Sequence, residues 1–183
     1  MKYFKKIEGE RVYLSPINAE DAETYARWLN DPNVTDGHGT TSFVITSAFE
    51  KDWLETNLKS DKTYHFAIVK KNGDELIGNV GFTDIEHIHQ TATIGLFIGE
   101  EENRGKGYGT EAVILAVKYG FNTLNLNNID LKAFSFNERA IKAYAKAGFR
   151  EYGRRSRAFY LGGEYHDVVC MEILRGHRRG NST

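Results

Sequence analysis

The chain has 183 residues, 40% of them hydrophobic and 13% aromatic, which suits one globular domain with a substantial core. Lys plus Arg number 24 against 25 Asp plus Glu, a formal net charge of -1, so nothing in the whole-chain charge draws it to DNA or to an anionic membrane. The start, MKYFKKIEGERVYL, lacks a signal peptide's apolar run and no later stretch approaches the roughly 20 apolar residues of a membrane span, so a cytoplasmic protein is expected.

Two prolines, no low-complexity tract and no repeat leave residues 1–174 as a single expected domain, with 175–183 (RGHRRGNST) as a polar tail. RVYLSPI is predicted as a first strand. Asn18 then caps a helix whose Ala22, Tyr25, Ala26 and Leu29 form an apolar stripe. NDPNVTDGHGTTSF is expected to be a loop. Thr46 or Ser47 opens a second helix through Phe49, Trp53, Leu54 and Leu58. YHFAIVK and ELIGNVGFTDI read as strands joined by the turn KNGD, and QTATIGLFI completes the meander. Beyond RGKGYG, Ala112, Val113, Ala116, Val117 and Gly120 recur at helical spacing, and NIDLKAF alternates as a strand. NERAIKAYAKAGF is a short helix, with Asn137 at its cap and Gly148 past its end. REYGRRSRAFYLGGEYHDVVCMEIL closes the chain as a hairpin turning at Gly162 and Gly163. It offers edges for a homodimer unless a helix covers them. The lone cysteine, Cys170, sits in its apolar second half, excludes an internal disulfide and reads as a buried small hydrophobe.

This order makes an α/β (α+β) mixed sheet of about seven strands with four helices. A strand, helix, strand crossover is right-handed, so the strand ending near Ile98 lies parallel beside the one starting near Asn128. The glycines stand where the first of these runs into its helix. A helix head has unpaired N–H groups and about half a positive charge. Bare positions at Gly105, Gly107 and Gly109 let phosphate oxygens approach those amides and let φ turn positive, while Arg104 and Lys106 add charge. The expected ligand carries a pyrophosphate. A nucleotide triphosphatase loop needs G-x-x-x-x-G-K-[ST], and Lys106 is followed by Gly107. A dinucleotide fingerprint needs G-x-G-x-x-G, and GKGYG departs from it. A glycine-rich loop that merely turns tightly is the bland alternative.

Arg104, Gly107 and Gly109 form an R/Q-x-x-G-x-G/A signature, and NERAIKAYAKAGFREYG supplies a closing helix with an asparagine, a tyrosine and a terminal Gly-Phe. On these two motifs, in this order, the chain from Arg11 to Leu174 resembles the GNAT superfamily of acetyl-CoA-dependent N-acetyltransferases. Gly163 to Tyr165, Asp167 and Met171 are similar to the closing hairpin of its ribosomal-protein-alanine and spermidine N-acetyltransferases.

The resemblance implies that the two parallel strands splay and that pantetheine of acetyl-CoA lies in the gap as a pseudo-strand. Backbone of Phe97, Ile98 and Gly99 would pair with it. Amides from Gly105 through Lys106, Gly107, Tyr108 and Gly109 to Thr110 would hold the pyrophosphate beside Arg104. The Phe97 N–H would face the thioester carbonyl, Asn137 would contact the cofactor, and Tyr144 would protonate the departing thiolate. Tyr144 also shares an apolar face with Ala140, Ile141 and Ala145, the place of a plain core tyrosine. The branch's frequent glutamate on the crossover strand is Thr93 here. Asp84 is the favoured substitute base, with Glu86, His87, His89 or a water chain behind it. His87 and His89 share a strand face but lack a third ligand, so no metal is expected.

Acceptor recognition is expected in the first two helices and their loop. There Asp31, Asp36, Glu50, Asp52 and Glu55 either attract a cationic amine or form a solvated face. Polyamine, protein N-terminus, amino sugar and aminoglycoside all stay open. The expected reaction is direct attack of a primary amine on acetyl-CoA in a ternary complex, since no Ser-His or Cys-His pair suits an acyl-enzyme. A CoA-binding sensor without acetyl transfer is the alternative, and Thr93 speaks for it. A nucleotide-binding α/β domain is a third reading of the loop.

Overall fold

The computed structural model describes residues 2–176. Met1 and residues 177–183, most of the expected polar tail, lie outside them. In chain order the elements are β1 (Ile7–Glu8), β2 (Val12–Pro16), α1 (Ala22–Trp28), α2 (Pro32–His38) and α3 (Ser47–Asn57). Then come β3 (Tyr64–Lys70), β4 (Glu75–Glu86), β5 (Thr91–Ile98), α4 (Tyr108–Asn122), β6 (Asn128–Phe134), α5 (Glu138–Ala147), β7 (Arg150–Leu161) and β8 (Glu164–Leu174).

The class is the expected mixed sheet, and the described residues add one strand and one helix to the expected count. β1 pairs only Ile7 with Leu14 and Glu8 with Tyr13, too short a run to leave a period-two pattern. α2 occupies the segment read as a loop. Its marks are at its ends: the Asp31 side chain accepts the Asn33 N–H at 2.9 Å, Pro32 takes the first turn and Gly39 closes it at φ 83. Its 7 residues span too few turns for a periodicity signal. Asn18 caps a short 3-10 turn, Ala19–Asp21, that leads into α1.

One 8-stranded sheet runs β1-β2-β3-β4-β5-β6-β8-β7. Every neighbouring pair is antiparallel except β5 with β6. Strand alternation gives this sheet two apolar faces. On one, Ala112, Val113, Ala116 and Val117 of α4 pack with Leu14, Ile68, Phe82 and Ile94. On the other, Tyr25, Trp28, Val34 and Leu54 from α1, α2 and α3 pack against Phe97. Cys170 is buried in β8 as expected. Among the described residues no helix is long and apolar enough to cross a membrane.

α4 comes down on the sheet at Gly120, where an added Cβ would stand 3.0 Å from both Ile129 Cδ1 and Phe82 Cζ. Gly120→Val is therefore expected to cost about 1–3 kcal/mol through overpacking. The measurement is the urea midpoint at unchanged m. A parental midpoint would show that α4 does not rest on β6 as described.

Candidate active site

β5 and β6 pair only between Thr91–Thr93 and Asn128–Asp130. Past that point β5 stays with β4 as far as Ile98, and β6 stays with β8 as far as Phe134. The two strands part, as the resemblance implied. Which amides face the gap follows from register. The Gly99 N–H donates to Ile77 O at 2.9 Å, and Phe97 stands opposite Asn79 on the same ladder. Groups two residues apart point the same way, so the Phe97 N–H faces β4. The expected oxyanion donor is thus corrected: Leu96 and Ile98 turn their amides to the gap. Gly99 also drops out as a pantetheine partner, because its N–H goes to Ile77 and its carbonyl accepts from Arg104. The Phe97 ring instead meets Tyr25, Trp28 and His38 edge-on, at centroid distances of 6.0, 6.2 and 5.5 Å.

Tyr144 reaches this gap from α5 and is only 6% exposed. Burial pushes its pKa above the ordinary phenol value, and a hydrogen bond from the Leu96 backbone opposes that rise. Its oxygen therefore meets the first β5 amide that no strand pairs. Asn137 begins α5, its side chain accepting the Ala140 N–H at 3.1 Å. It also fixes α2 closely, since a Cβ at Gly37 would lie 2.7 Å from its Nδ2.

The glycines divide their work. Gly107, at φ 84, caps α4 with no side-chain hydrogen bond, which leaves the first-turn amides of Tyr108, Gly109 and Thr110 available. Gly105, at φ 72, would meet nothing within 4 Å if it carried a Cβ. Gly109 is different, because its Cβ would stand 3.1 Å from Leu96 Cδ1. It lets α4 pack on β5 and does not clear a path for phosphate. Arg104 lines the cleft but is no loose clamp. Its Nε donates to Ile98 O and its Nη1 to Asn33 O, both at 3.1 Å, and its Nη2 donates to Gly99 O. Lys106 projects into solvent outside the cleft wall. Its carbonyl accepts from Arg11 Nη1 at 2.8 Å, and Arg11 also pairs with Glu111 at 3.0 Å. This brace from the start of β2 has no local sequence signal.

The cleft has a volume of about 640 Å³. Phe97, Ile98, Arg104, Gly105, Gly107, Tyr108, Gly109, Thr110, Asn137 and Tyr144 share its wall. So do Lys132, Arg139, Lys142 and Lys146, against the single acid Asp36, a field that favours a polyanion. Those on α5 gave no signal in the sequence because a charged stripe on a helix looks like a solvated face. α2 adds Gly37 and His38 to the wall.

Asp84 is not in this cleft, which corrects its assignment as base. It sits at φ 51 in the bulge between Thr83 and Glu86. It lines a second cavity of about 450 Å³ with Thr93, Asp130, Tyr152 and Glu172. The Thr91–Thr93 ladder with β6 forms part of that cavity's wall. Asp130 escaped notice because only the register shows Thr93 beside it, with Thr93 Oγ1 donating to Asp130 Oδ1 at 2.7 Å. His87 Nε2 lies 3.2 Å from Asp61 O. Among the described residues no group of three His, Cys, Asp or Glu could hold a metal ion.

Parted parallel strands, an uncapped glycine-headed helix and a cationic wall are features able to receive a diphosphate-bearing acyl carrier. Residues 11–150 match the family model of the acetyltransferase (GNAT) domain. The chain belongs to this family and is an acetyl-CoA-dependent N-acetyltransferase. It is 36% identical over 178 residues to the probable N-acetyltransferase YjcK of Bacillus subtilis, covering 92% of this chain and 96% of that protein. It is 34% identical over 115 residues to spermidine N(1)-acetyltransferase of Escherichia coli, covering 63% and 61%. Its fold superposes on spermidine N-acetyltransferase from Vibrio cholerae in complex with CoA and spermine with a TM-score of 0.83. That match has 25% identity and covers 91% of this chain and 96% of that one.

Of the acids named for the first helices, Asp31 serves as the α2 cap and Glu50 is buried under α3 at 4% exposure. Burial pushes the Glu50 pKa up to about 7. The folded state then holds this proton more tightly than the unfolded chain, so stability is present at low pH and is lost as pH rises through 7. Glu50→Gln is expected to stabilise the fold by about 2–3 kcal/mol more at pH 8 than at pH 5. Denaturation midpoints at the two pH values check it, and an equal effect at both would contradict the buried, proton-holding carboxyl.

Proposed function

We propose that this enzyme passes acetyl directly from acetyl-CoA to a primary amine of a small polycation, with both substrates bound together. One observation carries the reading: the Leu96 amide, which no strand pairs, and the buried Tyr144 phenol meet where β5 and β6 part. The head of α4 and the cations of the cleft wall would hold the diphosphate and 3′-phosphate. A thioester in the gap lies against the Leu96 N–H, a donor of the kind whose removal typically costs about 3–4 kcal/mol of transition-state stabilisation. Tyr144, its pKa raised by burial, keeps its proton until sulfur departs and then supplies it.

The acceptor class is supported by the second cavity, whose wall carries Asp84, Asp130 and Glu172. Thr93, beside Asp130, is three residues from Leu96, about 10 Å along an extended strand. An extended polyamine spans that distance. The spermidine N-acetyltransferases among the relatives and solved structures support the same class.

The test is release of CoA thiol with spermidine, alanine- and serine-terminated peptides, and glucosamine as acceptors. Spermidine is expected to lead the panel, and Asp130→Asn is expected to raise its KM about tenfold, one lost charge contact being worth about 1.4 kcal/mol. A peptide or amino sugar in the lead would remove the polycation reading. Tyr144→Phe should lower kcat at least about 100-fold, the usual scale of general acid catalysis, with acetyl-CoA affinity unchanged. A variant within a few-fold of the parent would leave Tyr144 a packing residue.

A further inference from the structure

An ammonium must give up a proton before its nitrogen can attack, and the expected acceptors of that proton are missing from the cleft. Position 93 is a threonine whose hydroxyl is donated to Asp130, and Asp84 lies in the second cavity. Among the side chains of the cleft wall, lysines and arginines are donors with no acceptor site, and burial keeps the proton on Tyr144. Two proton acceptors remain, Asp36 and His38. Asp36 Oδ1 accepts from Thr41 Oγ1 at 2.8 Å.

His38 is placed differently. Its ring meets the ring of Phe97 edge-on at 5.5 Å, and Phe97 is the residue next to Leu96. Its Nδ1 lies 3.3 Å from Thr40 Oγ1, and its Nε2 has no hydrogen-bond partner among the described residues. The segment that carries it is pinned at two points. A Cβ at Gly37 would press on Asn137 Nδ2, and one at Gly39 would come within 2.8 Å of Phe134 Cζ. An imidazole held by one nitrogen, with the other open to a cleft, is the arrangement of an oriented base.

We propose that His38 is the proton acceptor for the attacking amine and that Thr40 is its positioning residue. The inference rests on the direct transfer proposed above. His38 Nε2 takes one proton from the ammonium and later releases it to solvent. The freed amine nitrogen forms its bond to the acetyl carbonyl carbon, and the carbon–sulfur bond breaks with its electron pair going to sulfur. Tyr144 gives the sulfur a proton, and the second proton lost from nitrogen as the amide forms restores the phenol. The products are the N-acetyl amine, CoA thiol and one proton.

The groups that bear on His38 are Asp36 from α2, His65 from β3, and Arg104, Lys132 and Tyr144 on the same cleft wall. Desolvation by the surrounding protein holds the pKa of His38 below its ordinary value, and desolvation together with the charge of His38 does the same at His65. His38 therefore meets the ammonium as a neutral ring at pH 7.

The experiment measures kcat/KM against pH for wild type, His38→Gln, His38→Ala and Thr40→Val, using the panel amine that wild type acetylates fastest. His38→Gln is expected to lose about 100-fold or more at pH 7, the lower end of general base effects. The loss should shrink as pH rises and free amine becomes abundant. Added imidazole should restore part of the His38→Ala rate, and Thr40→Val should show a smaller loss of the same pH form. Acetyl-CoA affinity and melting temperature should stay parental in His38→Gln, whose side chain keeps a hydrogen-bonding end if the alanine variant folds poorly. A His38→Gln rate within threefold of wild type at pH 7, or a loss by one constant factor at every pH, overturns the proposal while the transfer reading stands. A wild type that acetylates no amine overturns both.

Discussion

The parallel pairing of β5 with β6 stops at Thr93 and Asp130, and the rest of the site depends on that stop. Each strand is held away from the other by its outer neighbour, β5 by β4 and β6 by β8. Past that stop the amides of Leu96 and Ile98 have no strand beside them, and Leu96 turns to the Tyr144 oxygen instead. Tyr144 comes down on this edge because α5 begins directly after β6 leaves the sheet, with Asn137 as its cap. Gly109 brings α4 down onto the side chains of the same two residues. The two helices therefore frame the gap without closing it.

A chain of net charge -1 contains two regions of opposite sign. The cleft wall gathers Arg104, Lys132, Arg139, Lys142 and Lys146 around the helix head. The cavity past Thr93 gathers Asp84, Asp130 and Glu172. The second lies along the short ladder between β5 and β6, the first beyond its end. Cationic and acidic walls thus lie toward opposite ends of the same strand. Overall charge carried no trace of this sorting, because the two regions cancel in the sum.

Most of the architecture was legible in the residues. Strand alternation, the cap at Asn137 and the positive-φ glycine at Gly148 are local signals, and the structure has each where it was expected. What escaped was relational. The direction of the Phe97 amide depends on its register with Asn79, and no pattern within QTATIGLFI encodes that parity. Gly109 looks like its neighbours until the helix is laid on Leu96. Arg104 looks like a free charge until three carbonyls are found within its reach. Asp84 looks close to the crossover strand in sequence, yet it lines the cavity along the ladder that ends at Thr93 and not the cleft beyond it. α2 was lost for another reason. Its end signals, Asp31, Pro32 and Gly39, were all present, but they bracket a segment with only Val34 and Thr35 buried, and an apolar stripe never forms.

Arg11 shows what such relations mean for the order of events in the molecule's life. It reaches across 95 residues to the carbonyl of Lys106 and across 100 residues to the carboxylate of Glu111. The glycine turn takes its shape from a strand and a helix that lie about a hundred residues apart along the chain. Contacts of such long loop closure form late, since the chain entropy they cost has to be met by other packing first. The shape of the glycine turn is accordingly a property of the finished sheet, and a half-assembled chain would carry the motif without its brace.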